Sequence, residues 1–315
     1  MKFHYSLFVY LVLLFLFGCE SNDPGFNPSK NTSTDYHYKT RHLVIVVIDG
    51  PRFQDTWGDP FKVNIPHFAN ELAAIGINHN RFYNRGATYT TSGHTAITTG
   101  SYQWMANDGS EIPFHPSIFQ SWLQKHGANP NQAQIITGKK KLAILSDCVD
   151  PKWRGKFNPI VNAENRDDHE TMQVARLILE QYHPRLTLIH FRGPDKYGHE
   201  NDWKNYTKSI TETDQYTHEI WQFLQNDPFY KDVTTLMVTN DHGRHSDGIR
   251  DGFISHGDFC EGCVHVNLFA AGPDFYSNRE INKPRQLVDM AATVAILMDI
   301  DLPASSGSVM WELFK

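Results

Sequence analysis

Apart from one short triplet, Lys139-Lys140-Lys141, the 315-residue chain has no basic cluster. Its 29 lysines and arginines are outnumbered by 35 aspartates and glutamates, a formal charge of −6. That balance supplies no stripe of cations for a nucleic-acid groove. The triplet reads as a solvated turn, with a phosphate-side role for one of its lysines as the alternative. Internal repeats are absent, and only the N-terminus carries a long apolar run, so a bundle of spanning helices is excluded. Cysteine is scarce, with four residues. Cys260 and Cys263 stand as Cys-Glu-Gly-Cys; two ligands alone do not make a zinc site, and no thioredoxin-like pattern surrounds them. They are expected as a small disulfide loop or as two free thiols, and Cys148 as a buried, inert side chain.

At the N-terminus, Lys2 and His4 lead into the apolar run Leu7–Phe17. The run is short for a spanning helix, which takes roughly 17–25 residues, and has the layout of a bacterial export signal. Its end, Leu16-Phe17-Gly18-Cys19, resembles the lipobox of bacterial lipoproteins. That resemblance implies a signal peptide over 1–18 and a lipidated Cys19 that attaches the protein to a membrane of the cell envelope, facing the periplasm or the outside. A plain signal peptide and an uncleaved anchor are the alternatives. Residues 19–40 are rich in Ser, Asn, Thr, Asp, Pro and Gly and cannot pack a core, so they read as a flexible tether. The remaining 41–315 suit one large domain.

Within that domain, Leu43–Ile48 is apolar throughout, as expected for a central parallel strand covered on both faces. Leu186–Phe191 and Val233–Thr239 read the same way, and Gln134–Thr137 as a shorter strand. Helices are expected after Pro66 as far as Gly76, over Ile118–Leu123, over His169–Tyr182 and over about Tyr206–Leu224. Strand and helix in alternation predict an α/β fold, with a mostly parallel central sheet flanked by helices. In such folds ligands bind beyond the carboxyl ends of the strands. Three strands each deliver an aspartate there: Asp49, Asp195 and Asp241.

Histidines accompany two of these aspartates. Asp195 and His199 are four apart, which on a helical turn places them on one side. Asp241 and His242 are adjacent at a strand end, and His256-Gly257 follows a Gly-rich segment. Carboxylate with imidazole suits zinc, manganese or iron, and such charges buried without a cation are costly. Between the first two strands lies Thr88-Tyr89-Thr90-Thr91-Ser92-Gly93-His94, whose hydroxyls are candidate nucleophiles once activated by a metal. Spacing alone does not choose among Thr88, Thr90, Thr91 and Ser92.

Taken in order, Val47-Ile48-Asp49-Gly50, Asn64-Ile65-Pro66-His67-Phe68, Thr90-Thr91-Ser92-Gly93-His94 through Thr99-Gly100, Pro194-Asp195 through Gly198-His199, Asp241-His242-Gly243 and His256-Gly257 resemble the alkaline phosphatase superfamily. The closest likeness is to its nucleotide pyrophosphatase/phosphodiesterase-like branch. The resemblance implies an alkaline phosphatase-like fold and a hydrolase of phosphoric esters with two divalent ions, zinc or alternatively manganese. Thr90 aligns with the nucleophile, which would pass through a phosphothreonine. One ion would be held by Asp49, Asp241 and His242 and would activate Thr90; the other would be held by Asp195, His199 and His256. His245 and His265 are rivals for the last place, and His94 is expected to be structural. Asn107 is the candidate for an extra oxygen-binding donor, although Trp104–Gly109 departs from the family's Pro-x-x-His-Gly pattern. The substrate so implied is a small phosphate ester, a lipid or a nucleotide. Two divalent ions against three aspartates would leave one positive charge, enough to accept an anion without a further cationic side chain. Sulfatases of the superfamily oxidise a cysteine or serine to formylglycine, and Ser92 lacks their Cys/Ser-x-Pro-x-Arg setting. Phosphomonoester hydrolysis, phosphonate hydrolysis or head-group transfer, and a non-catalytic surface lipoprotein are the alternatives.

Overall fold

The computed structural model describes residues 37–315; the expected signal segment and most of the tether lie outside them. Chain order begins packing slightly ahead of residue 41: Thr40 is buried, and the Lys39 and Thr40 backbone N–H groups both donate to the Asp274 carboxylate at 2.8 Å.

Among the described residues nine strands form one sheet: β1 His42–Ile48, β2 Ile77–Tyr83, β3 Ala133–Thr137, β4 Ile160–Ala163, β5 Leu186–Phe191, β6 Thr234–Thr239, β7 His265–Ala271, β8 Arg279–Ile281 and β9 Arg285–Gln286. Their order is β4-β3-β5-β1-β6-β7-β2-β8, with β9 also paired to β2. Only β7 runs against its neighbours, β6 and β2; every other pairing is parallel. The expected mostly parallel α/β sheet is therefore the observed one, with a mixed edge.

The unbroken apolar run of β1 divides between two cores because successive side chains point to opposite faces. Leu43, Ile45 and Val47 pack with helices Thr90–Thr99, Ile118–His126 and Val288–Leu297. Val44, Val46 and Ile48 pack with helices Asp168–Tyr182 and Trp203–Asn226. Burial of apolar side chains on both faces, worth ~25 cal/mol per Å² removed from water, holds helices against the two sides of the sheet. The site follows from register. Val47 on β1 stands beside His190 on β5 and Thr239 on β6, so the residues just beyond these strands, Asp49 and Asp241, emerge together. Asp195 arrives on a short helix, Gly193–His199, after β5. Among the described residues no helix is long and apolar enough to cross a membrane.

Candidate metal centre and nucleophile

Asp49 follows β1 directly, and Gly50 turns the chain with φ +67°. Gly50 and His242 both donate their backbone N–H to Asp241 Oδ1, at 3.3 and 3.0 Å. Asp241 Oδ2 is left free. Asp49 Oδ2 accepts from His190 Nε2 at 2.8 Å, and Gly138 N–H donates to His190 Nδ1. That second bond fixes the tautomer: the proton sits on Nε2 and points at Asp49. His242 gives its Nδ1–H to the Gly243 carbonyl at 3.0 Å, so Nε2 carries a lone pair inward. Burial pushes the His242 imidazole down to about 4, against the pull of Asp241, which keeps it neutral.

Three atoms then remain buried without a hydrogen-bond partner: Asp49 Oδ1, Asp241 Oδ2 and His242 Nε2. His242 Nε2 lies 3.4 and 3.5 Å from the two oxygens. Buried polar atoms are seldom left unpaired, and a tetrahedral zinc with bonds of about 2.0–2.2 Å has ligand edges of roughly 3.3–3.6 Å. The donor set fits a divalent cation.

The second group is arranged differently. Asp195 Oδ1 lies 3.3 Å from both His199 Nε2 and His256 Nε2, which are 3.1 Å apart. His256 donates Nδ1–H to the Thr88 carbonyl at 2.7 Å, presenting Nε2 to the group. His242 stacks on His256 at 3.8 Å between ring centroids and shares this cluster. Yet Asp195 already meets two cations. Arg244, fully buried and anchored on the Phe253 and Ile254 carbonyls, contacts Oδ1. Lys139 Nζ bridges Asp195 Oδ2 at 2.5 Å and Asp49 Oδ2 at 2.6 Å.

Lys139 corrects the reading of the basic triplet as a solvated turn. Its side chain is 13 % exposed. Burial pulls its ammonium down, but Asp195 and Asp49 more than offset this and hold it well above the ordinary lysine range. Three carboxylates against Lys139 and Arg244 leave one net negative charge before any metal binds. Two cationic side chains therefore stand at the carboxylates, although the charge count with two ions did not require one.

The structure separates the four hydroxyls that spacing left open. Thr88 donates to the Asp258 carbonyl, Thr91 to Ala106 and Asn107, and Ser92 accepts the Met105 N–H. Thr90, first residue of helix Thr90–Thr99, instead accepts from Lys139 Nζ at 3.3 Å, the ammonium that also meets Asp49 and Asp195. Gly93 in the same helix permits this approach, since a Cβ there would come within 2.5 Å of the Asp241 carbonyl oxygen. His94 donates from Nδ1 to the Thr90 carbonyl side of its own helix and lies 3.4 Å from Asp241 Oδ2. Asn107 stands at the helix start, but its Oδ1 accepts from Thr91 N–H and from Lys141 Nζ. His265 lies away from the aspartates, bonded to the Asn80 carbonyl, and His245 belongs to another cluster.

An open cleft of about 840 Å³ adjoins Lys139 and is lined also by Lys140, Lys141, Arg192 and Lys196, with Asp108 its one acid. Tyr89 and the exposed Trp104 form an edge-to-face pair beside His256.

The Sulfatase family matches residues 41–300, so the chain belongs to that family, within the alkaline phosphatase/sulfatase superfamily. No curated protein matches the chain. Among solved structures it is similar to the phosphonate monoester hydrolase from Silicibacter pomeroyi, at 12 % identity and TM-score 0.61, covering 86 % of this chain and 76 % of that one. It is similar also to murine ectonucleotide pyrophosphatase/phosphodiesterase 5, at 15 % and 0.61, covering 87 % and 100 %. A 2-O GAG sulfatase stands alongside, at 13 % and 0.62, covering 86 % and 73 %. These likenesses are of fold, and they spread over several branches alike.

Proposed function

We propose that the chain is a metal-dependent hydrolase of phosphoric esters, acting on diesters in the manner of the nucleotide pyrophosphatase/phosphodiesterases, with Thr90 as nucleophile. The observation that carries this is the Thr90 hydroxyl, bonded to the Lys139 ammonium that bridges Asp49 and Asp195 while its neighbours are bonded to backbone. Asp49, Asp241 and His242 would hold one divalent ion, and Asp195, His199 and His256 a second. When bound, such ions lower the pKa of a hydroxyl and neutralise charge on a leaving oxygen.

The chain's own groups do the rest. The Thr90 hydroxyl gives up its proton to solvent and its oxygen attacks phosphorus. The bond to the leaving alkoxide breaks, and the alkoxide takes a proton from water. A second water then cleaves the phosphothreonine, which still carries the other ester group, releasing the monoester and returning the proton to Thr90. Lys139 is held protonated, so it acts as a fixed positive charge beside the transferring phosphoryl oxygens rather than as a base. The Asn107 amide Nδ2 is assigned to a phosphoryl oxygen. The five-cation cleft favours a substrate with further negative charge, and the exposed Trp104, paired with Tyr89 near His256, offers an aromatic platform. A threonine-to-alanine variant of the murine relative, described as inactive, was solved with AMP, which supports both parts of the reading.

A second reading has a specific observation behind it: one ion, with Lys139 in place of the other, because its ammonium already bridges Asp49 and Asp195. We also propose export and lipid attachment at Cys19, on the sequence of residues 1–40 alone; loss of labelled fatty acid in Cys19→Ala would support it. The activity test compares p-nitrophenyl phosphate, bis-p-nitrophenyl phosphate, thymidine 5′-monophosphate p-nitrophenyl ester and p-nitrophenyl sulfate, with metal analysis. The thymidine diester should turn over fastest. Sulfate ester turnover ahead of both diesters would overturn the proposal, and a single bound equivalent in the active protein would select the one-ion reading.

A further inference from the structure

Between β6 and β7 the chain runs from Asn240 to Val264 with only two short helical turns, Gly252–Ile254 and Glu261–Val264. This stretch carries Asp241, His242, Arg244 and His256. Irregular segments of that length inside a compact domain need something to hold them.

Within it, Cys260 and Cys263 are two free thiols, one of the two states expected of them, and they are not alone. Single donor atoms of His245, Asp258, Cys260 and Cys263 all lie within 4.8 Å of one another. We propose that these four side chains form a structural metal site suited to zinc, separate from the catalytic centre.

The donor chemistry argues for it. His245 is 2 % exposed, and its Nδ1–H is taken by Asp251 at 2.8 Å. Its Nε2 is then a lone pair, buried without a hydrogen-bond partner and 3.3 Å from Asp258 Oδ2. Lone pair against carboxylate oxygen is repulsive, and a cation between them removes the conflict. A carboxylate behind a histidine is the usual support of a zinc ligand. Cys-x-x-Cys is the spacing of structural zinc sites, and two thiolates, an imidazole and a carboxylate complete a tetrahedron. The Cys260 N–H donates to Asp258 Oδ1 at 3.0 Å, fixing the carboxylate over the pair. Arg250 Nε, 3.0 Å from Asp258 Oδ2, offsets the excess negative charge of such a centre. Without metal, burial pushes both thiols up, so they stay protonated; binding would release two protons to solvent.

The site would brace the catalytic loop. Gly243 N–H donates to the Cys263 carbonyl at 2.8 Å. A Cβ on Gly243 would meet the Gly262 carbonyl at 2.1 Å, and one on Gly262 the Arg244 carbonyl at 2.4 Å. The cysteine turn therefore packs backbone to backbone against the residues that follow Asp241 and His242.

The experiment measures zinc content, thiol reactivity and cobalt spectra on the full chain, on Cys260→Ser/Cys263→Ser and on Asp49→Asn, all purified without reductant. Wild type should hold one equivalent of zinc more than the double variant. Cobalt-loaded wild type and Asp49→Asn should both show the near-ultraviolet thiolate-to-cobalt band, and the double variant should lose it. Thiol titration of the native protein should speed up at least about tenfold for two thiols on adding chelator, as metal-held thiolates are released. If the double variant does not fold, the cobalt band and chelator-dependent titration in wild type decide. A disulfide between Cys260 and Cys263, or two thiols that titrate at once with no cobalt band, would overturn the proposal.

Discussion

The two halves of the candidate centre differ in where they are rooted and in how their charge is met. Asp49, Asp241 and His242 sit at the ends of the central strands β1 and β6, are fully buried, and keep three atoms without partners. Asp195, His199 and His256 come from a short helix and an irregular segment; the His199 side chain is 48 % exposed, and both Asp195 oxygens already touch cationic side chains. In the first half Lys139 reaches only Asp49 Oδ2, and Asp49 Oδ1, Asp241 Oδ2 and His242 Nε2 stay without partners. The second is partly balanced by Lys139 and Arg244, so an ion there competes with an ammonium group. Rigid strand ends can impose the desolvation that makes a bare carboxylate costly, whereas a mobile lysine stem can share a position with a metal.

Thr90→Ala serves both halves at once and should have the largest effect. Turnover should fall by at least about 10³-fold with metal content unchanged; retained turnover would mean that another group attacks phosphorus. Lys139→Met should lower kcat by about 10²–10³-fold, as removal of a preorganised charge does, while raising occupancy of the second half. Unchanged occupancy, read by metal analysis, would break the idea that lysine and ion compete. His190→Ala loosens Asp49 and should weaken metal binding in the first half by about 10–100-fold, whereas His199→Ala should leave that half's affinity within a few-fold of wild type. Equal losses in competitive chelator titrations would erase the distinction between the halves. Gly93→Ala, which presses a methyl group on the Asp241 carbonyl, should cost about 1–3 kcal/mol of stability by denaturant unfolding, with no loss of bound metal if only packing is affected.

Much of the fold was legible because its signals are local. A short apolar run reads as a buried strand, and Leu43–Ile48, Leu186–Phe191 and Val233–Thr239 became β1, β5 and β6 within a residue. The helix Val288–Leu297 offered no such signal: it is apolar nearly all round and buried on almost every side, so it has no stripe to show a period of 3.6. Edge strands of two or three residues, β8 and β9, are held by pairing to β2 and carry no pattern of their own.

The sequence by itself determined the inventory: three aspartates that follow strands, the histidines beside them, a hydroxyl-rich helix start, and a family resemblance that ordered them. Residue type and position along a strand suffice for that, since the end of a parallel strand is where such a fold exposes function. Tertiary structure alone decided which hydroxyl meets Lys139, which lysine of three is buried between Asp49 and Asp195, and that His245 and Asp258 join two cysteines in one cluster. Those choices rest on distances of 2.5–3.3 Å between residues up to 90 positions apart. Separations of that length along the chain leave no local trace, because only the packing of β1, β3, β5 and β6 brings the segments together.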